Sequence, residues 1–146
     1  MRKKIYWIAT SFVICIMTVS GVLAITHATP MMKGLAHLGY PVYFANLLGI
    51  GKLIGVGVIL APGRPILKEW AYSAFTITVV SACYSHLCSG DGLMAFDPLV
   101  TLVALIISYR LRPPDQRLEN VNWLAAEQGL RVPNADVVED AMPVRR

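Results

Sequence analysis

The chain has 146 residues, of which 55% are hydrophobic and 15% charged, and its mean hydropathy is +0.56. A soluble globular domain is about 25% charged, so a bilayer is the expected solvent, and the length allows one domain. The net charge of +4 is small, its basic residues flank apolar blocks, and no basic-aromatic patch points to nucleic acid.

The apolar residues do not alternate with polar ones as a half-buried strand requires. They fall into four long blocks, which predicts an all-α, four-transmembrane-helix bundle. The first block is residues 5–26, preceded by Arg2, Lys3 and Lys4. It exceeds the roughly 7–15 apolar residues of a signal peptide, and Thr26-His27-Ala28 is a poor cleavage site, so it is expected to be a retained helix.

The connector 27–41 is not a simple turn. Pro30 can open a short helix and Gly39 can end it. Met31, Leu35 and Leu38 share one face, as in a helix lying at the outer interface. The second block, 42–61, ends at Pro62-Gly63. The third, 70–87, ends at Ser89-Gly90-Asp91-Gly92. The fourth, 96–111, starts with Asp97 and Pro98 near the interface and ends at Arg112-Pro113-Pro114. The domains expected are a membrane unit, 1–112, and a largely disordered cytoplasmic tail, 113–146. In that tail Leu118, Val121, Leu124 and Ala125 can make an amphipathic turn or two, and disorder is expected after Pro133.

The connectors orient the bundle. Arg2, Lys3 and Lys4 precede the first span, Arg64 and Lys68 separate the second from the third, and Arg110, Arg112 and Arg117 follow the fourth. The remaining two connectors hold only Lys33 among Lys and Arg. The positive-inside rule then puts both termini in the cytoplasm.

Lys52 is the only charge in the second block. A charge at that depth costs about 2.5–3.5 kcal/mol on insertion scales and is a functional-site hypothesis by default. Snorkelling would have to cover about 15 Å, which exceeds a lysine stem. Two accounts stay open. Lys52 belongs to a polar cluster or ion pair inside the bundle, or it lines a site for a ligand or ion. Gly49, Gly51 and Gly55 surround it, and this small-residue spacing predicts close helix packing.

Acids that could pair with Lys52 are few. Glu69 and Asp97 lie at the ends of the third and fourth spans, not at mid-depth. Asp97 also suits a helix N-terminus. The third span is the most polar, with Tyr72, Thr76, Cys83 and His86 on one stripe and Thr78, Ser81 and Ser85 on another. Hydroxyls there can bond the preceding turn and need no partner. Asn46, His86, Asp91 and Asp97 are expected to cluster at the outer mouth.

Cys15, Cys83 and Cys88 are an odd set with no CxxC, so neither a zinc site nor a disulfide framework is expected. There is no phosphate loop, no HExxH and no paired histidines for haem ligation. No metal is expected.

The strings His37-Leu38-Gly39-Tyr40-Pro41-Val42-Tyr43 and Gly49-Ile50-Gly51-Lys52-Leu53-Ile54-Gly55 resemble the DoxX-like family of small bacterial membrane proteins. Leu60-Ala61-Pro62-Gly63, Leu67-Lys68-Glu69-Trp70-Ala71-Tyr72, Tyr84-Ser85-His86-Leu87, Asp91-Gly92 and Ser108-Tyr109-Arg110-Leu111-Arg112-Pro113 continue the likeness. The resemblance implies a four-helix bundle in the bacterial inner membrane. The wider superfamily is named for a subunit of a thiosulfate:quinone oxidoreductase. Where many relatives carry an acid midway along the third span, this chain has Thr78. The leading functional expectation is an accessory membrane subunit handling quinone or another small lipophilic molecule, with Lys52, Glu69, Tyr72 and His86 lining the site. No covalently held cofactor is expected. A redox partner protein or a homo-oligomer would complete the system. The alternatives are an anion or small-molecule transporter, with Lys52 selecting the anion, and a non-catalytic structural subunit.

Overall fold

The computed structural model describes residues 2–117. The tail beyond, including the amphipathic stretch expected at 118–125 and the disorder expected after Pro133, lies outside the described residues. Within them the chain is all-α. Five helices follow in order: α1 (Arg2–Ile25), α2 (Thr29–His37), α3 (Val42–Leu60), α4 (Pro65–Cys88) and α5 (Phe96–Arg110), with a final 3-10 turn at Pro114–Gln116.

α1 packs on α3 and α5, and α4 packs on the same two helices, so the four long helices close a ring. Ser20 meets Lys52, Gly21 meets Gly49, and His27 meets Asn46. Numbers rise along α1 as they fall along α3, so this pair is antiparallel. Tyr72 with Ser108 and Cys83 with Ala95 give the same sense for α4 and α5. Neighbours alternate in direction around the ring, as short loops between consecutive helices require. The core holds Val13 and Met17 of α1, Val56 and Ile59 of α3, Tyr72, Phe75 and Val79 of α4, and Leu105 of α5.

The outward faces are apolar as well. Ile8 and Val19 of α1, Leu47 and Ile54 of α3, Ile77 and Val80 of α4, and Leu99 and Val103 of α5 are all exposed. A helix that is hydrophobic all round belongs in a core or a membrane. Among the described residues two helices combine the length and hydropathy of a membrane span, α1 and α3. α4 is 24 residues long but carries more polar groups. α5 has 15 residues, about 22 Å at 1.5 Å per residue, short of a hydrocarbon core of about 30 Å.

Three helix ends at one side of the bundle close in the same way. α1 ends with Ala28 N–H on the Leu23 carbonyl, α2 with Tyr40 N–H on Leu35, and α4 with Asp91 N–H on His86. This wrapped C-terminus needs a left-handed residue just beyond the cap. Gly39 and Gly90 supply it for α2 and α4, whereas His27 adopts φ 51° at the end of α1. The wrap also folds Asp91 back over His86. At the opposite side Arg64 is left-handed after Gly63, and Pro65 then opens α4.

The small residues work on two faces of α3. A Cβ on Gly49 would stand 2.8 Å from the Gly21 carbonyl oxygen, and one on Gly55 would stand 2.5 Å from the Phe75 ring. Gly51 differs from expectation: it is exposed, and a Cβ there meets nothing within 4 Å. The pair that packs is Gly49 and Gly55, six residues apart, one toward α1 and the other toward α4.

Candidate functional site

A cavity of about 430 Å³ opens between α1, α3, α4 and α5 in the half of the bundle where α2 lies. Its deep wall carries Lys52, Ser20, Thr78 and Thr101. Its outer rim carries Tyr40, Ser81, His86 and Asp97. Between them the lining is apolar, with Phe44 and Leu48, and Ile16 and Met17 lie about a turn below Ser20. α2 and its C-cap cover the mouth with Met31, Leu35 and Leu38, the three residues whose shared face the sequence displays. None of the α2 residues is fully buried.

Lys52 donates to Ser20 Oγ at 2.9 Å. Among the described residues no carboxylate lies within ion-pair distance of it. Thr78 turns its hydroxyl onto the Ala74 carbonyl at 2.8 Å, and Thr101 donates to Asp97 O at 3.2 Å. Both are satisfied by their own helices, as membrane-helix hydroxyls can be. The ammonium has three donors, and Ser20 takes one.

Asp91 holds the rim residue His86. Its carboxylate joins His37 Nε2 at 2.8 Å and His86 Nδ1 at 3.2 Å. One acid thus ties α2 to α4. These hydrogen bonds, that of His37 first and that of His86 second, hold the Asp91 carboxyl below its ordinary value. His86 lines the cavity while its Nδ1 faces Asp91. Tyr40 stacks on Phe44 at 4.9 Å and bonds Ser85 Oγ at 2.8 Å. The four polar residues expected at the outer mouth are all at this side but do not form one cluster: His86 joins Asp91, Asn46 bonds His27 at 2.8 Å, and Asp97 stays exposed at the start of α5.

Glu69 and Tyr72 lie at the opposite side. Glu69 pairs with Arg112, which is only 3% exposed, and accepts from Tyr109 Oη at 2.9 Å. The Arg112 guanidinium stacks on Tyr109 at 4.6 Å and on Tyr72 at 5.1 Å. Tyr72 Oη, Ser108 Oγ and Thr10 Oγ1 form a chain of two 2.7 Å hydrogen bonds through the core. Lys68, 2% exposed, caps the α3 C-terminus by donating to the Ile59 carbonyl at 2.9 Å, and it also reaches Gln116. This network joins α1, α3, α4, α5 and the 112–117 segment. A shallow cleft of about 480 Å³ beside it is lined by Glu69, Tyr72 and Tyr109.

Of the four residues named from sequence, the structure brings Lys52 and His86 to one cavity and Glu69 and Tyr72 to another site. The partners that sequence reasoning missed are Ser20, Arg112 and Gly21. Ser20-Gly21, a polar and small pair inside an apolar span, is the signal that would have found two of them. Among the described residues no group of three or more His, Cys, Asp or Glu is arranged to hold a metal.

A family model, the DoxX-like family, matches residues 8–108. The chain belongs to the DoxX-like family. The match runs from the first turns of α1 to Ser108 of α5, so it takes in the whole cavity of this DoxX-like membrane protein. No curated protein and no solved structure matches the chain.

Proposed function

We propose that this DoxX-like protein spans the bacterial inner membrane four times and binds a small lipophilic molecule in the cavity under α2. α1, α3, α4 and α5 are the spans in this reading, and the end bearing Arg2, Lys3, Lys4, Arg64, Arg110 and Arg117 faces the cytoplasm. α2 rests at the outer interface. The observation that carries the binding function is the position of Lys52: mid-span, on the cavity wall, with Ser20 as its hydrogen-bond partner and, among the described residues, no acid in ion-pair range.

A ligand pocket is mostly apolar with a few convergent polar groups, in a range of about 300–1,000 Å³, and this cavity fits that description. The ligand class covers quinones and other molecules with an acceptor on an apolar body. Catalysis is not needed for this role, so an accessory binding subunit of a membrane complex is the form proposed. Native mass spectrometry of the gently solubilised protein tests it. A lipophilic adduct that is present on wild type and absent from folded Lys52→Met is expected. A wild-type spectrum free of any adduct, under conditions that keep annular lipid, would remove the reading.

A further inference from the structure

We propose that the cavity takes a single-chain amphiphile with a carboxylate head, seated head-down on Lys52. This deepens the binding reading above and rests on it. An ammonium withdrawn from water needs a counter-charge or a full set of acceptors. Ser20 supplies one acceptor at 2.9 Å. The hydroxyls of Thr78 and Thr101 donate to backbone carbonyls, and among the described residues Ser20 is the acceptor that Lys52 reaches. Two donors of Lys52 therefore remain for a guest, and a carboxylate offers two oxygens and one negative charge.

Three other titratable side chains line the cavity, and one of them, Tyr40, is bonded to Ser85 at the rim. His86 sits at the rim, held by Asp91. Asp97 lies in the first turn of α5. Thr101, four residues further on, is also in the lining, so Asp97 stands about 6 Å further out along the helix. Asp97 is exposed and outside ion-pair range of Lys52, so it marks the wet mouth and leaves the charge of the deep wall unbalanced. The space between head and mouth is apolar. A cavity of about 430 Å³ admits one hydrocarbon chain and has no room for a two-chain phospholipid with its headgroup.

The test compares two probes on the full chain in detergent, a fluorescent polyunsaturated fatty acid and its methyl ester, by titration of probe fluorescence. The expected result is at least tenfold tighter binding of the acid by wild type. Lys52→Met should bind both probes alike, at the ester's affinity. Lys52→Arg, which keeps the charge, should keep the preference, and it decides the matter should Lys52→Met fail to fold. Asp97→Asn should bind the acid as well as wild type or better. Equal binding of acid and ester by wild type would overturn the carboxylate assignment and leave the lipophile reading standing. Binding of neither probe would overturn both. Acid binding lost in Asp97→Asn would also overturn the proposal, because the recognition would then centre on Asp97.

Discussion

Gly49 lies against Gly21 so closely that a Cβ on Gly49 would stand 2.8 Å from the Gly21 carbonyl oxygen and 2.6 Å from Ile25 Cγ1. Backbone cannot yield as a flexible side chain can, so Gly49→Ala must push α1 and α3 apart. Gly55→Ala meets the ring of Phe75, itself a core residue. Each is expected to lower stability, by about 1–3 kcal/mol for overpacking. Gly51→Ala meets nothing and should be neutral, or up to about 1 kcal/mol stabilising through helix propensity. Thermal melts of the three variants in one detergent check this. A destabilised Gly51→Ala beside an unaffected Gly49→Ala would reverse the assignment of faces.

The long helices were largely legible because each holds a long apolar block bounded by Pro, Gly or charged residues. The expected block 42–61 and the observed Val42–Leu60 differ by one residue, and the short helix opened by Pro30 runs Thr29–His37. The start of α4 was less legible. It begins at Pro65, five residues before the apolar block, because Lys68 and Glu69 find partners in the bundle and can be helical without being apolar. The candidate site was legible only in part. Lys52 stands out by charge alone, and His86 by its place near a helix end. That Glu69 belongs with Arg112 depends on antiparallel pairing of α4 and α5, which no local pattern encodes. Gly51 was indistinguishable from Gly49 in sequence, since spacing does not say which face meets a neighbour.

Asp91 gives a pH signature at the rim. Its folded-state carboxyl lies below the ordinary 3.8 because His37 and His86 hydrogen-bond the charged form. A depressed carboxylate contributes stability above its unfolded value and loses it as pH falls through the folded one. The Tm difference between wild type and Asp91→Asn should therefore persist above pH 3.8 and shrink below it. A difference that grew on acidification through that range would show that the tie from α2 to α4 does not rest on the Asp91 charge.

The orientation is open to reporter fusions. A fusion after Arg112 should report cytoplasm and one after Gly92 the outer side, because the basic residues gather at the ends where α1 begins and α5 stops. Both fusions reporting the same side would mean that α5, at 15 residues, does not cross.

Lys52 and Glu69 separate cleanly by mutation. Glu69→Gln strands Arg112, whose Nε and Nη1 are buried without hydrogen-bond partners, and the loss of a buried ion-pair partner costs about 3–5 kcal/mol. Lys52→Met strands no acid. It leaves the Ser20 hydroxyl free to bond its own helix, and it removes a charge from mid-span. The single variant should be as stable as wild type or more so, since an imperfectly compensated buried charge is a net cost. The two residues share no partner and lie at different levels of the bundle, so the double variant should show the sum of the two effects within about 0.5 kcal/mol. Rescue of Lys52→Met by Glu69→Gln would require a direct pair that the geometry denies, because Glu69 already faces Arg112 and Tyr109. A thermal-shift comparison of the four proteins gives the answer, and a strongly destabilised Lys52→Met that Glu69→Gln restores would return Lys52 to a structural ion pair.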